Sequence, residues 1–428
     1  MTLPIMGRRQ SWDAGWDVLA MSNYSTITSI SESPQLEGLL YVGTDDGLLQ
    51  VSEDGGESWR AIEVGRLPGV PDTAFVNDIK ADMHDSDTVY VVLDNHKFGD
   101  FSPHVLRSNN RGRSWSSIRG DLPDRNIVWR IVQDHVKPEL LFAGTEFGVY
   151  FSPDAGERWV QLSGGVPVIS FRDLAIQKRE NDLVGATFGR GFYVLDDYTA
   201  LRHVSDSQLE QDATLFPARD ALWYIPRDRG DQSIGANRFV APNPDFGALF
   251  TYYLRDGLKT REEIRKEKEE PLLESGDDIP FPGWDAVAGE MTESEPGIWI
   301  IVRNSEGSVV RRVRGPVAAG INRVAWDLRY PAPEAISLEE TPPTSDEEEE
   351  EEPSGLLAPP GRYTAVLASD VNGEISMLSE PIEFNVVPLR EGALAGSSPE
   401  EAARFWREFE DATRTNTAVA KVLSKEIA

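Results

Sequence analysis

Three carboxylates in two short turns have the right chemistry for acid–base work: Asp45 and Asp46 in Thr44-Asp-Asp-Gly47, and Glu146 in Thr145-Glu-Phe-Gly148. Hydrolysis of a glycosidic bond needs two carboxyl groups facing each other across roughly 5–10 Å, one of them held protonated near neutral pH. Asp45 or Asp46 with Glu146 is the pair this chain offers. A second group, Asp94, His96, Asp100 and Arg190, mixes donors and acceptors as a polar-ligand site does, where a few placed groups fix orientation. Asp94, His96, Asp100 and His104 are also the main concentration of metal-type ligands in a chain with five histidines and no cysteine. No metal and no cofactor is expected. The alternative for every one of these acids is a turn-stabilising or solvated role.

The elements that carry these turns are announced by a repeated phrase. Ser52-Glu-Asp54-Gly-Gly56-Glu-Ser-Trp59 returns as Ser108-Asn-Asn110-Arg-Gly112-Arg-Ser-Trp115 and again as Ser152-Pro-Asp154-Ala-Gly156-Glu-Arg-Trp159. Asp or Asn folds its side chain onto backbone N–H groups, and Gly tolerates the positive φ that follows. Tryptophan then opens a strand and supplies a large ring for packing. Each phrase therefore reads as a hairpin turn locked by its own side chains, so its Asp residues are structural and not catalytic. A shortened copy stands at 11–16.

Around each phrase one grammar repeats. Strands are predicted at 26–31, 39–44, 47–51 and 59–62, then at 76–79, 88–93, 104–107 and 115–118, then at 128–132, 140–145, 148–151 and 159–162. A fourth unit has 173–176, 183–187 and 191–195 but no phrase, and 16–20 is a candidate for its missing outer strand. Four strands in each 40–50-residue unit is the plan of a β-propeller blade. With the phrases between third and fourth strands, the turns between second and third strands lie at the opposite end. Those turns hold all seven candidates, Asp45, Asp46, Asp94, His96, Asp100, Glu146 and Arg190, on one rim.

After residue 205 the repeat stops. Residues 206–245 read as a connector, with a partial strand at 221–225. Strands at 247–254, 297–302, 309–313, 320–331, 359–367 and 381–387, with turn signals between them, predict a β-sandwich over 246–390. It is interrupted by a charged insertion at 258–296, read as a solvated helix over 259–270. It is interrupted again by an acidic Pro/Ser/Thr/Glu stretch at 337–357, read as a disordered loop. Residues 398–428 place apolar side chains at helical spacing, with Ser398 and Glu401 as a capping box.

Composition bounds the function. Forty-two basic against 72 acidic residues give a net charge of −30, and the pI is about 4.5. That argues against nucleic acid and anionic membrane as partners. No run approaches the roughly 18 apolar residues of a membrane span. Residues 1–9 lack the apolar core of a signal peptide, which taken alone points to the cytoplasm.

The phrases resemble the Asp box, or neuraminidase repeat, of sialidases, sortilins and xyloglucan-cleaving hydrolases. Gly320-Ile-Asn-Arg-Val-Ala-Trp-Asp-Leu-Arg-Tyr-Pro331 and Ala358-Pro-Pro-Gly-Arg-Tyr363 resemble the immunoglobulin-like domain of flagellar hook-capping proteins. The order of blades, sandwich and helix resembles the C-terminal part of a secreted bacterial family labelled glycosyl hydrolase or sortilin-like. The resemblance implies an all-β fold, with Asp-box propeller blades, then an immunoglobulin-like sandwich, then a helix. It also implies that the chain is part of a larger propeller, with upstream blades as partners. It implies export to the periplasm, cell surface or medium, against the reading of residues 1–9. The Phe/Tyr-Arg-Ile-Pro motif of sialidases is absent, as are G-x-S-x-G, H-E-x-x-H and a phosphate loop. The expectation is a scaffold that binds a peptide, protein or carbohydrate on the rim opposite the Asp boxes. The rivals are a xyloglucanase-type hydrolase using the paired carboxylates, and a structural fragment whose activity lies elsewhere.

Overall fold

The computed structural model describes residues 4–5, 8–9, 26–226, 241–333, 355–390 and 396–427, with backbone only for 4–5, 8–9 and 424–427. The shortened phrase at 11–16, the candidate strand at 16–20 and the acidic run at 346–352 lie outside the described residues. The chain divides into two compact units, Met1–Arg202 and His203–Ala428.

In the first unit a short hairpin, β1 (Pro4–Ile5) with β2 (Arg8–Arg9), precedes the repeats. Then come β3 (Ile27–Glu32), β4 (Leu40–Thr44), β5 (Leu48–Ser52) and β6 (Arg60–Glu63), hydrogen-bonded in that order. The second sheet repeats the plan with β7 (Phe75–Ala81), β8 (Val89–Asn95), β9 (Asp100–Ser108) and β10 (Ser116–Ser117). The third does so with β11 (Val128–Gln133), β12 (Leu141–Thr145), β13 (Gly148–Ser152) and β14 (Val160–Gln161). Among the described residues the fourth has three strands, β15 (Phe171–Gln177), β16 (Asp182–Thr187) and β17 (Phe192–Leu195). All pairings within these sheets are antiparallel, as in propeller blades.

The first strands of successive blades adjoin, β3 to β7, β7 to β11 and β11 to β15. The apolar cores lie between blades. Leu39, Tyr41 and Leu49 of the first pack with Val76, Ile79 and Val89 of the second. Tyr90, Val92 and Val105 of the second pack with Ile131, Leu141 and Trp159 of the third. Gly144 in β12 permits this closeness: a Cβ there would stand 2.9 Å from the Phe171 carbonyl oxygen of the next blade. Asp78, pushed up by burial, ties three inner strands by accepting from Ser29, Arg130 and the Ile131 N–H.

The three repeated phrases share one geometry. The Ser52 hydroxyl donates to Asp54 and accepts the Gly56 N–H at 2.8 Å, and Asp54 accepts the Ser58 N–H at 2.9 Å. Ser108, Asn110, Gly112 and Ser114 repeat these bonds, as do Ser152, Asp154, Gly156 and Arg158. Ser58 and Ser52 hold the Asp54 carboxyl at about 2, well below its ordinary range. The tryptophans are not equivalent. Trp159 is buried and donates to the Ile118 carbonyl of the preceding blade, and Trp115 is half-buried against the first blade's core. Trp59 is 41% exposed and donates to Gly56 of its own turn. Packing on a preceding blade buries these rings, and among the described residues Trp59 has none to pack on.

The second unit begins earlier than a connector over 206–245 implies. After α1 (Asp206–Leu209), β18 (Ala213–Leu215) and β19 (Ala221–Trp223) already belong to its sheets. One sheet runs β18, β20 (Ala248–Leu254), β23 (Gly320–Trp326). The other runs β19, β26 (Ile382–Pro388), β24 (Gly361–Val371), β21 (Gly297–Asn304), β22 (Val309–Gly315), with β25 (Glu374–Met377) also on β24. The parallel pairing of β19 with β26 makes this sheet mixed. The two share one core, in which Phe250 and Trp326 from the first meet Phe384 and Tyr363 from the second.

The charged insertion forms two helices where one was expected, α2 (Arg261–Ser275) and α3 (Trp284–Thr292). Thr260 and Glu263 cap the first, and Arg265 grips Glu290 of the second with two bonds of 2.8 and 2.9 Å. The end of the expected disordered loop is placed, since Leu357 bridges Arg329. Helix α4 (Pro399–Ile427) closes the chain.

Candidate functional site

A regular irregularity builds the site. In every blade the first strand pairs with the second through a register shift at the same place, between Ile27 and Ser29, Val76 and Asp78, Val128 and Arg130, and Phe171 and Asp173. The extra residues are Thr28, Asn77, Trp129 and Arg172. A bulge leaves one residue outside the ladder and re-aims its side chain, which is why bulges recur beside functional sites. All four extra residues line one hollow of about 410 Å³, at the end of the blades where second strands turn into third.

Neighbouring blades hold these side chains in place. The Thr28 hydroxyl donates to the Val76 carbonyl at 2.6 Å, and the Asn77 amide donates to the Val128 carbonyl at 3.0 Å. The Trp129 indole N–H donates to Glu146 at 2.9 Å, and the Arg172 guanidinium lies 3.6 Å from the centre of the Trp129 ring. Arg172 is further steered by Ser170 at 2.9 Å and by Glu146 at 3.8 Å. The outcome is an exposed guanidinium stacked on a buried indole at the mouth of the blades.

Trp129 and Arg172 also line a second hollow of about 380 Å³, with His96, Phe101, Arg125 and Glu146. The first hollow adds Phe75, Lys97 and Arg130. Four cationic side chains, Lys97, Arg125, Arg130 and Arg172, thus surround one tryptophan in a protein of net charge −30. Among the lining side chains these basic groups outnumber the acids Asp94 and Glu146, which favours an anionic ligand there. Arg130 is shared, bonding to Asp78 and Asp173 at 3.1 Å each.

The seven candidate residues divide. His96 lines both hollows, Asp94 the first and Glu146 the second. Asp94, itself buried, accepts from the backbone and ring of His96, which also meets Trp129 edge-on at 6.0 Å. Asp45 and Asp46 do not face either hollow. Both are buried, Asp45 accepting the Thr26 N–H at 2.8 Å and Asp46 the Thr44 hydroxyl at 2.6 Å. Asp100 turns to His104 at 2.7 Å; burial opposes its ionisation, but the Ser102 and His104 bonds outweigh it and keep its carboxyl below the ordinary range. Arg190 is exposed on the fourth blade's turn and lines neither hollow.

Sequence reasoning looked for the site in the turns of this rim. The residues it missed, Thr28, Asn77, Trp129 and Arg172, sit inside inner strands. One signal was present: Trp129-Arg130 and Arg172-Asp173 put large polar or cationic groups where an inner strand should alternate plainly.

No known protein family matches the chain by sequence profile, and no curated protein matches it by sequence. Solved structures do resemble it, at low scores. YCF48 bound to D1 peptide matches over 41% of this chain and 53% of its own, at 17% identity and a TM-score of 0.32. YCF48 from Cyanidioschyzon merolae matches over 41% and 55%, at 17% identity and 0.31. The GH74 xyloglucanase from Xanthomonas campestris matches over 84% and 46%, at 15% identity and 0.35. The chain spans about half the length of each of these three proteins. Likeness this remote assigns no role to any residue.

Proposed function

We propose that the rim around Trp129 is a binding site for an extended peptide or protein segment carrying carboxylates, and that it does not catalyse hydrolysis. The observation that carries this reading is the convergence of four bulge residues, one from each inner strand, on a single hollow. The Arg172 guanidinium, stacked on the buried Trp129 ring, offers a flat charged face, and Lys97 and Arg125 offer further charge to an acidic neighbour. Glycan hydrolysis is the weaker reading because Asp45 holds the Thr26 N–H and Asp46 the Thr44 hydroxyl, both away from the hollows, leaving Glu146 without its expected partner. In the fuller version of this reading the chain is an Asp-box propeller with an immunoglobulin-like sandwich, acts outside the cytoplasm and joins upstream blades.

The test is a peptide array of acidic, neutral and basic sequences probed with the purified protein, beside an assay for xyloglucan cleavage. Selective retention on acidic peptides, lost in Arg172→Gln, is expected. Equal retention on all three classes, or glucan turnover abolished by Glu146→Gln, would defeat the proposal.

A further inference from the structure

The two hollows of the rim differ in kind. His96, Trp129 and Arg172 line both and therefore stand between them. Beyond those three, the first is polar apart from Phe75, with Thr28, Asn77, Asp94, Lys97 and Arg130. The second is walled instead by Phe101, Ile127 and Phe147, and Arg125 and Glu146 are its charged members.

Ile127 is buried, whereas Phe101 and Phe147 are 39% and 48% exposed. Ordered neighbours hold both rings in the open. Phe147 has its backbone fixed on either side of its side chain. Its N–H donates to the Asn126 side chain at 3.3 Å and to the Thr145 hydroxyl at 3.2 Å, and its carbonyl accepts the Gln161 amide at 2.9 Å. Phe101 opens β9 and has the Arg125 guanidinium 5.3 Å from the centre of its ring. A lone exposed ring is ordinary, but two that line one hollow lose their contact with water only when something enters it.

Arg172 has capacity beside that hollow. Its Nε donates to Ser170 at 2.9 Å, and Glu146 stays at 3.8 Å, beyond hydrogen-bond reach. Among the described residues its terminal nitrogens make no hydrogen bond. Stacking on Trp129 occupies a face of the guanidinium and leaves its N–H edge to a carboxylate.

We propose that the second hollow is a subsite for a bulky apolar side chain of the ligand, two residues from the acidic residue that Arg172 binds. The inference rests on the rim binding an acidic segment, and it adds a second determinant to that reading. Extended geometry sets the spacing. A segment lying along the rim turns every second side chain towards it, and those neighbours are about 7 Å apart. Arg172 and the adjoining hollow then receive residues i and i+2, while i+1 faces away. An acidic side chain in the hollow would meet Glu146, whose carboxylate already holds the Trp129 N–H; an apolar one meets the two rings. Burying a leucine there tightens binding by roughly tenfold or more.

Fluorescence anisotropy with dye-labelled glycine–serine peptides built around Glu-Ser-Glu tests this. Leucine is placed two residues after the second glutamate, two residues before the first, directly beside one, or nowhere. Leucine at the two-residue spacing, on at least one side, should tighten wild-type binding by about tenfold over the leucine-free peptide. Phe147→Ser and Phe101→Ser, both at exposed positions, should bind the leucine and leucine-free peptides alike, with urea midpoints near the wild type. Arg172→Gln should weaken all of the peptides. No gain from leucine while the glutamate peptides still bind, or a gain that survives both phenylalanine variants, would overturn the subsite and leave the acidic reading standing. A gain confined to leucine beside a glutamate would overturn the spacing. Leucine peptides that bind equally without glutamate and to Arg172→Gln would defeat the acidic reading, and the inference with it. A xyloglucan oligosaccharide that displaces the peptide from the wild type but not from Phe147→Ser would give the hollow to a sugar ring and overturn the inference.

Discussion

The Arg172 guanidinium lies 3.6 Å from the centre of the Trp129 ring, and each of these residues is the extra one at the bulge of its own inner strand. Two blades thereby build one surface. Glu146 fixes both partners, bonding to the indole N–H and facing the guanidinium. Arg172 is not needed for the fold of its strand, since it is exposed and a bulge residue makes no ladder pairing. Arg172→Gln should therefore change stability by less than about 1 kcal/mol, as partly exposed side chains outside the core do. The check is an unchanged urea midpoint together with lost retention on acidic peptides.

The repeated tryptophans should differ in cost. Trp159→Ala removes a buried ring that packs on the preceding blade, and about 3–5 kcal/mol is expected. Trp59→Ala removes a ring that is 41% exposed, and about 1 kcal/mol or less is expected. Urea unfolding of both variants measures the difference. Equal losses would mean that these rings act through their own turns and not through the neighbouring blade.

Gly144→Ala should destabilise by about 1–3 kcal/mol, the usual range for overpacking. The added carbon would meet a backbone oxygen of the next blade at 2.9 Å, and backbone yields less readily than a side chain. A thermal melt at the wild-type midpoint would contradict this account of how the third and fourth blades meet.

A buried ion pair ties the end of the first unit to the third blade. Arg202 donates twice to the fully buried Asp134 at 2.8 Å, and the Tyr198 hydroxyl donates at 2.6 Å. Burial alone would push the Asp134 carboxyl up, but Arg202 and Tyr198 outweigh it and hold it at about 2. The carboxyl is depressed in the folded state, so its stabilisation is present above the ordinary carboxylate range near pH 4 and is lost as pH falls towards about 2. Arg202→Leu should cost about 3–5 kcal/mol near neutral pH by stranding that charge. The gap between variant and wild type should shrink as pH drops through that window, which thermal melts at a series of pH values would follow.

Much of the fold was legible because the turns carry their own chemistry. Ser52, Asp54 and Gly56 close their turn whatever surrounds them, so the phrase declares itself in one dimension and the strands follow on either side. The parallel partner of β19 was not legible, because Ala221–Trp223 meets Val386–Pro388 from a distant part of the chain with no local mark. The site divides in the same way. His96, Asp94 and Glu146 could be found from their turns. Thr28, Asn77, Trp129 and Arg172 could not, because a bulge is a property of two strands in register and the sequence shows one strand at a time. Asp45 and Asp46 misled for the opposite reason: a carboxylate in a tight turn looks available until its donors, the Thr26 N–H and the Thr44 hydroxyl, are seen.

The most direct test of the binding rim is calorimetric titration of the best acidic array peptide into wild type, Trp129→Leu and Arg172→Gln. The account predicts wild-type binding that weakens as salt rises, since charge pairing between exposed groups is screened. It predicts at least about a tenfold loss of affinity in each variant, the scale of one lost anchor at the centre of an interface. No cleavage of the peptide or of xyloglucan is expected from any of the three proteins. Undiminished affinity in both variants would place binding elsewhere and contradict the claim.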